Sequence, residues 1–436
     1  MKLNYKRTVL IGLAFMSISA FWQMYDTIIP LILQNTFHLK ETITGTIMAA
    51  DNVLALFLLP IFGTISDSVD TRFGKRIPFI VTGTTLAVIF MMLLPVADGA
   101  ENFILFIVAL FMLLISMGIY RSPAVALMPD LTPNKLRSKG NAIINLMGAV
   151  GGVYTLIMIK MLVGKGERPS YVALFLSVAI LMAVSIIILV LTIREKKIKA
   201  QVEQEVKAYE EENQLVVETE DTVEAEDTQS TVMPKEVKRS MIFLLLSVFL
   251  WFTAYNAVTT AFSRYTKVVW HLEGGGFADC LMVATVAAIL SYIPIGNISS
   301  KIGRKKTILG GIILMSLCYG AAIFVGSYHP LINVAFALIG IGWAAINVNS
   351  YPMVVEMSKG CDIGKFTGTY YTFSMTAQIF TPILSGFLLE KISYRSLFPY
   401  AVVFSVLAFL TMLQVKHGDT RPDKKVSVLE NFDVDD

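Results

Sequence analysis

Residues 63–80, GTISDSVDTRFGKRIPFI, form a highly charged stretch between two long apolar runs. Two aspartates and three basic residues lie between positions 67 and 76. Hydrocarbon does not accommodate this charge density, so the stretch is predicted to be a short aqueous loop between two membrane helices. A related stretch, GNISSKIGRKKTILGG, occurs at residues 296–311. The duplication predicts a protein built from two similar halves.

The composition of the chain excludes an ordinary soluble protein. Of its 436 residues, 55% are hydrophobic and only 16% are charged. Cutting the sequence at its charge clusters and turns leaves twelve apolar runs, most of them near the ~20 residues that a helix needs to cross a bilayer. We therefore predict an all-α membrane protein with twelve transmembrane helices in two six-helix halves.

The distribution of basic residues predicts the orientation in the membrane. With twelve spans both termini lie on one side, and most of the 36 Lys and Arg residues fall on that side. The positive-inside rule then predicts that both termini are cytoplasmic. We expect a multi-pass protein of the plasma membrane. It is surrounded by the lipid bilayer and has no nucleic-acid partner.

An acidic segment with few aromatics divides the chain in the middle. We predict a first six-helix half at 1–193, a cytoplasmic linker at 194–239, a second half at 240–416 and a cytoplasmic tail at 417–436. Tyr25 and Tyr255 occupy matching places in the two halves, as do Arg121 and Asn347. Two parallel repeats around a central cavity are typical of an alternating-access carrier.

Twelve spans, a central linker and two similar loops resemble the major facilitator superfamily. The superfamily's loop signature, G-x-x-x-D-(R/K)-x-G-R-(R/K), is matched in the second half by Gly296, Lys301, Gly303, Arg304 and Lys305, with Ser300 in place of the acid. In the first half, SDSVDTRFGKRIPFI is similar to the SDRxxSRFGRRRPFI pattern of the sucrose/proton symporters and of the glycoside-pentoside-hexuronide cation symporters. The block YRSPAVALMPDLTPNKLRSKGNAIINLMGAVGG at 120–152 also resembles that family. The resemblance implies sugar or glycoside transport.

The chain departs from these symporters at several positions. Ser68 and Ile77 stand where the sucrose carriers have basic residues. Ala55 and Leu59 stand where the sodium-coupled melibiose carrier has paired acids in its second span. A sodium site of the melibiose type is therefore not implied.

Three residues well inside the spans carry full charges, namely Asp26, Asp51 and Arg121. An ionisable group at the centre of a membrane helix costs at least ~2.5 to 3.5 kcal/mol, so such groups usually face water or a partner. We interpret the three as the groups that couple transport to a cation, H⁺ or Na⁺, with no other cofactor. A static ion pair that holds helices together is the alternative.

A sugar needs flat apolar faces and planar hydrogen-bonding groups, and the predicted cavity helices contain both. Each of these residues has an alternative role in helix packing or at the membrane interface. The candidate substrate-binding residues are Trp22, Tyr25, Asn52, Tyr120, Asn145, Trp251, Tyr255, Asn256, Trp343, Asn347, Tyr371 and Gln378.

The charged loops and their glycines are candidates for the gate on the cytoplasmic side. Exposed ion pairs contribute only ~0 to 1 kcal/mol each, so such pairs could bias a conformational equilibrium that is already balanced. The candidate gating residues are Gly63, Asp67, Arg72, Gly74, Lys75, Arg76, Asp130, Arg137, Gly296, Gly303 and Arg304.

These observations together predict a monomeric secondary active transporter, not an enzyme, that imports a sugar or glycoside by cation symport. A proton-coupled exporter of drugs or metabolites on the same fold is the first alternative. A membrane sensor that does not transport is the second.

Overall fold

The computed structural model describes residues 3–133, 136–166, 168–217, 233–358 and 363–419. This part of the chain is almost entirely helical. Its helices are α1 (Tyr5–Asn35), α2 (Glu41–Ser68), α3 (Ile77–Gly99), α4 (Phe103–Asp130), α5 (Arg137–Leu162), α6 (Val172–Thr192), α7 (Glu195–Val217), α8 (Lys235–Val269), α9 (Ala278–Ile302), α10 (Arg304–Ile323), α11 (Ile332–Met357), α12 (Ile363–Lys391) and α13 (Leu397–Leu413), with a short 3-10 turn at Tyr394–Ser396.

Twelve helices of the described chain, all except α7, are long and apolar enough to cross a membrane. Many of their outward-facing side chains are large and apolar. Leu191 is 76% exposed and Leu290 is 69% exposed. Such exposed apolar side chains are favourable in contact with lipid and unfavourable in contact with water. The prediction of twelve transmembrane helices is confirmed.

The two halves pair their helices in the same way. In the first half α1 packs on α5, α3 on α4, α2 on α4 and α3 on α6. The second half repeats these pairings as α8 on α12, α10 on α11, α9 on α11 and α10 on α13. The structure therefore contains two six-helix bundles of related packing, as the duplicated loops predict.

Within the described residues, the helix pairs that contact most extensively between the halves are α1 with α8, α2 with α12 and α5 with α9. Gly45 makes the α2–α12 contact possible, because a Cβ atom added there would lie 1.9 Å from the carbonyl oxygen of Pro382. Gly386 has the same role one turn further, where an added Cβ would lie 2.6 Å from the carbonyl oxygen of Glu41. Small residues thus let the two backbones meet directly.

Helix α7 occupies the first part of the predicted linker. Its Glu, Lys and Gln residues have good helix propensity, and Ile198 and Val202, one turn apart, give it a small apolar face that packs on the protein. Residues 218–232 of the predicted linker and 420–436 of the predicted tail lie outside the described residues. The domain boundaries therefore stay a prediction.

We call the membrane side that carries the 67–76 loop and the start of α1 the basic face. The other side, which carries the end of α1 and the start of α2, is called the opposite face.

Candidate functional site

A cavity of about 230 Å³ lies between α1 of the first half and helices α8 to α11 of the second half. We call it the large cavity. It begins beside Asp26 and extends into the second half. Its lining residues are Gln23, Asp26, Tyr255, Asn256, Val258, Thr259, Leu281, Ala284, Thr285, Tyr319, Phe336 and Ile339.

The large cavity offers hydrogen-bonding groups of both kinds. Asn256 Nδ2 and Tyr319 Oη have no hydrogen-bond partner within the described residues. Thr259 and Thr285 donate their hydroxyl protons to carbonyls of their own helices, so their oxygens can still accept. Asp26 adds a carboxyl group from the other half. A ligand with several hydroxyl groups can form hydrogen bonds with these donors and acceptors.

Aromatic rings stiffen one side of the large cavity. The ring of Tyr255 stacks on the indole of Trp343, with centroids 3.8 Å apart and planes 3° from parallel. Phe252 packs edge-on against the same indole at 5.2 Å. The stack fixes the orientation of Tyr255 and presents an aromatic surface against which a sugar ring could pack.

A second, small cavity of about 10 Å³ lies within the first half, where its lining includes Asp51 and Arg121. This volume is close to that of one water-sized probe, so the small cavity has room for a water or an ion and not for a solute. Arg121 lies over the ring of Trp22, with its guanidinium carbon 5.8 Å from the centroid. Asn52 Nδ2 donates to Asp51 Oδ1 over 2.8 Å, which fixes the carboxylate.

Trp22 and Tyr25 lie between the two cavities. Trp22 lines the small cavity, whereas Asp26, one turn along the same helix, lines the large one. Tyr25 is fully buried, and its ring meets that of Trp22 edge-on at 5.3 Å. Asp51 and Arg121 therefore line the small cavity and Asp26 lines the large one, while Asp26 and Asp51 remain near enough to interact electrostatically.

The other predicted substrate-binding residues line neither cavity. Tyr120 fastens α4 to α1, since its hydroxyl lies 2.5 Å from Ser17 Oγ and donates to the carbonyl of Ala14. Trp251 is buried in the core, and Asn347 is 97% buried on α11.

Three further candidates lie on α5 and α12, where Asn145 and Gln378 are half-buried. The third, Tyr371, packs edge-on against Tyr370, with ring centroids 5.5 Å apart.

The basic face of the first half is organised around Arg76, whose side chain is only 8% exposed. Its Nε donates to Asp130 Oδ2 over 2.8 Å, and its other nitrogens contact Ser66 and Asp67. Burial lowers the pKa of this guanidinium, but hydrogen bonds and charge from Asp130 and Asp67 outweigh burial and raise that pKa above its ordinary value. The cation therefore holds α2, α3 and α4 together.

Glu195, the first residue of α7, caps the start of α3. Its carboxylate accepts the backbone N–H groups of Lys75, Arg76 and Ile77 at 2.8 to 3.2 Å. Gly74 makes room for it, because Gly74 has a φ of +115° and an added Cβ would lie 2.2 Å from Glu195 Oε2. An anion at a helix N-terminus is stabilised by the helix dipole.

The second half repeats this arrangement with different residues. Arg304 Nη1 donates to Glu356 Oε2 over 2.5 Å, and Asp419 Oδ1 accepts the backbone N–H of Lys305 over 2.7 Å. Gly303 has a φ of +94° beside Asp419, as Gly74 has beside Glu195. Gly296 lies within α9, nearly two turns before the end that reaches this loop.

The predicted gating residues do not join the two halves in this conformation. Asp130 pairs with Arg76, whereas Arg137 donates to the carbonyl of Pro129.

The remaining gating candidates also make contacts within the first half. Lys75 donates to the carbonyl of Asp67, Arg72 lies 4.7 Å above the ring of Phe73, and Gly63 lies beside Ser122 on α4. A lock between the halves at the basic face stays a prediction for another conformation.

A buried ion pair joins the halves at the opposite face. Glu41 at the start of α2 accepts Arg264 Nε of α8 at 3.0 Å, and both side chains are about 5% exposed. Tyr394 Oη donates to the same carboxylate over 2.6 Å. We call these three residues the latch. Nearby, Thr42 donates through its backbone and hydroxyl to Glu390.

A second contact closes the α5–α9 edge of this face, where Lys160 Nζ lies 2.7 Å from Asp279 Oδ1. In the described part of the chain, one buried and one partly exposed ion pair thus hold the halves together at the opposite face. This is the arrangement expected of a carrier closed on that side.

Several site residues were absent from the sequence prediction. Thr259 follows Tyr255 and Asn256 at helical spacing, so a shared helix face could have indicated it. Tyr319 and Phe336 lie in apolar runs whose rotation toward the cavity no local pattern reveals. Glu41 and Arg264 are 223 positions apart.

The family model of the Major Facilitator Superfamily matches residues 11–291 and 270–431 of this chain. The matches cover nearly the whole sequence, and the fold agrees with them. The chain belongs to the major facilitator superfamily. Proteins of this family that resemble the chain are named as transporters and not as enzymes.

Curated relatives match about a third of the chain or less in most cases. The chloramphenicol resistance protein CraA of Acinetobacter baumannii is 28% identical over 134 residues, which cover 31% of each chain. The MFS-type efflux transporter pyiT of Pyricularia grisea is 28% identical over 135 residues, or 29% of this chain and 21% of pyiT. The chain thus spans about a third or less of the length of these two relatives.

Solved structures of transporters share the fold at low sequence identity. A variant of the nucleoside transporter NupG superposes with a TM-score of 0.67 and 14% identity, over 94% of this chain and 100% of that chain. The peptide transporter POT in complex with sulfate gives a TM-score of 0.65 and 13% identity, over 94% and 93%. These likenesses show the fold.

Proposed function

We propose that this protein imports a sugar or glycoside by cation symport, most simply with H⁺. The observation that supports this function best is the large cavity, where one carboxyl group from the first half faces the uncharged polar groups of the second. Such a wall suits a neutral, hydroxyl-rich solute. The similarity of the first loop to sugar symporters supports the same substrate class.

Coupling follows from the separation of the two cavities. Asp26 contacts the solute, and Asp51 beside Arg121 in the small cavity takes up or releases the coupling cation. An arginine beside a carboxylate favours the ionised form, and burial favours the protonated one. Trp22 and Tyr25, which lie between the cavities, transmit solute binding to the cation site as the halves move.

The orientation that fits this function places the basic face in the cytoplasm of a cell with the protein in its plasma membrane. The latch then closes the outer side, and the solute leaves toward the cytoplasm. The protein acts as a monomer, since each chain contains both halves of the site.

Proton-coupled export is the second candidate function. It is favoured by CraA, named for chloramphenicol resistance, and by pyiT, named as an efflux transporter. Chloramphenicol is also neutral and carries hydroxyl groups, so the polar wall accommodates it as well.

Uptake into proteoliposomes separates the two functions. The purified chain is reconstituted, and labelled sugars and labelled chloramphenicol are supplied with a pH gradient, a Na⁺ gradient or none. Symport predicts that one sugar accumulates only when a cation gradient points inward. If chloramphenicol instead accumulates when the proton gradient points outward, and no sugar is transported, the protein is a proton-coupled exporter. Sugar equilibration that no gradient alters contradicts cation coupling.

A further inference from the structure

We infer that the large cavity is a site for a single sugar ring and that Tyr319 of α10 selects the ligand there; the inference rests on the proposed sugar transport. Its size, its lining and one unpartnered hydroxyl group carry this inference. It makes the substrate a monosaccharide or a simple glycoside, although the first loop resembles that of sucrose carriers.

The size of the large cavity limits the ligand. Its volume is about 230 Å³. A cavity of about 150 Å³ holds benzene, so 230 Å³ holds one six-membered ring with its hydroxyl groups but not two linked rings. A disaccharide would have to leave one ring outside, between the halves.

The two sides of the large cavity differ in chemistry, as the two surfaces of a pyranose do. Helix α1 contributes only polar side chains, Gln23 and Asp26, whereas α11 contributes only apolar ones, Phe336 and Ile339. Hydroxyl groups at the ring edge can bond to the polar side while the C–H face packs on the apolar side. Helix α8 packs against both α1 and α11 and holds these sides in place.

Tyr319 lies deep in this site. It is fully buried, it lines the cavity, and its hydroxyl group has no partner within the described residues. A buried hydroxyl group without a partner is unfavourable, and a ligand oxygen placed there would relieve this. The residue lies one turn before the end of α10, a helix with no substrate-binding candidate in the sequence prediction. It is therefore a specificity-determining residue, together with Asn256.

Equilibrium binding to the purified full-length chain tests the inference. The probes are D-glucose with maltose, D-galactose with lactose, and D-xylose with xylobiose, each measured by calorimetry. At least one monosaccharide should bind ten times more tightly than its disaccharide. Tyr319→Phe keeps the ring and removes the hydroxyl group, so it should weaken that monosaccharide about fivefold, the loss of one neutral hydrogen bond.

The matched control is Tyr400→Phe, because Tyr400 is a buried tyrosine on α13 that does not line the large cavity. It should leave the affinity unchanged. Ala284→Leu fills part of the cavity and should abolish binding, with the melting temperature of the unliganded variant reporting that it folds. Equal affinity for both members of a pair, or no effect of Tyr319→Phe, overturns the inference while sugar transport stands. Binding of no sugar overturns the proposed function and the inference with it.

Discussion

Replacing Glu41 by Gln should open the opposite face of the transporter. In the closed conformation the Glu41 carboxylate is the buried counter-charge of Arg264, and it also accepts the hydroxyl group of Tyr394. Glutamine has nearly the same shape but no charge. The substitution therefore leaves the Arg264 guanidinium buried beside a neutral group.

The magnitude follows from burial on both sides of the pair. The side chains of Arg264 and Glu41 are 5% and 4% exposed, so solvent screens them little. Removing one partner of such a pair costs ~3 to 5 kcal/mol. When the halves part, Arg264 reaches water, so most of this cost falls on the closed conformation. A shift of ~3 kcal/mol changes the equilibrium by about 10²-fold, and an open fraction of roughly 1% becomes roughly one half.

Double electron–electron resonance can measure this change directly. Spin labels are placed at Ser170 in the first half and Ser327 in the second, which are exposed loop positions on the opposite face. The native cysteines are first replaced. The parent protein should give one distance distribution, and Glu41→Gln should add a second population at longer distance.

The matched control is Glu101→Gln, the same change on the same face. Glu101 pairs with Arg168 within the first half, and its side chain is 61% exposed. It should leave the distances unchanged, because an exposed pair within one half contributes ~0 to 1 kcal/mol and does not join the halves. Unchanged distances in Glu41→Gln would refute the assignment of the latch.

Two further substitutions test the packing. Gly45→Ala places a Cβ 1.9 Å from a carbonyl oxygen of α12, so it should cost ~1 to 3 kcal/mol of stability and lower the melting temperature. Gly164→Ala is the control and should leave the melting temperature unchanged, because an added Cβ there has nothing within 4 Å. Equal melting temperatures of the two variants would contradict the close α2–α12 contact. Glu195→Ala removes the carboxylate that caps α3 and should cost ~0.5 to 2 kcal/mol of stability. Glu203→Ala, on the exposed side of α7, is the control and should cost almost nothing. If thermal unfolding shows no difference between the two variants, Glu195 does not cap α3.

The fold could be predicted from the sequence because the hydrocarbon core of the membrane imposes a simple rule on the sequence. Each apolar run must form a helix long enough to cross the bilayer, and each charge cluster must leave it. The same rule identified Asp26, Asp51 and Arg121, since a charge inside a span stands out without any knowledge of packing.

The arrangement of the site could not be predicted in the same way. Tyr319 resembles any aromatic residue in a membrane helix unless the rotation of α10 is known. The sequence predicts Tyr120 to be a substrate-binding residue, whereas its hydroxyl group bonds to α1. Glu195 falls in the segment that the sequence predicts to be a cytoplasmic linker. Glu41 and Arg264 fall in different halves, where only the assembled fold brings them together. Local patterns carry no information about contacts between distant helices.

A cation gradient should drive a solute through the large cavity past Asp26. The most direct test is uptake of the best-binding monosaccharide into proteoliposomes with an inward proton gradient, comparing the parent protein with Asp26→Asn. The parent should accumulate sugar above equilibrium, and the variant, although folded by its melting temperature, should not. Accumulation by Asp26→Asn at the parent rate would show that Asp26 has no part in coupled transport.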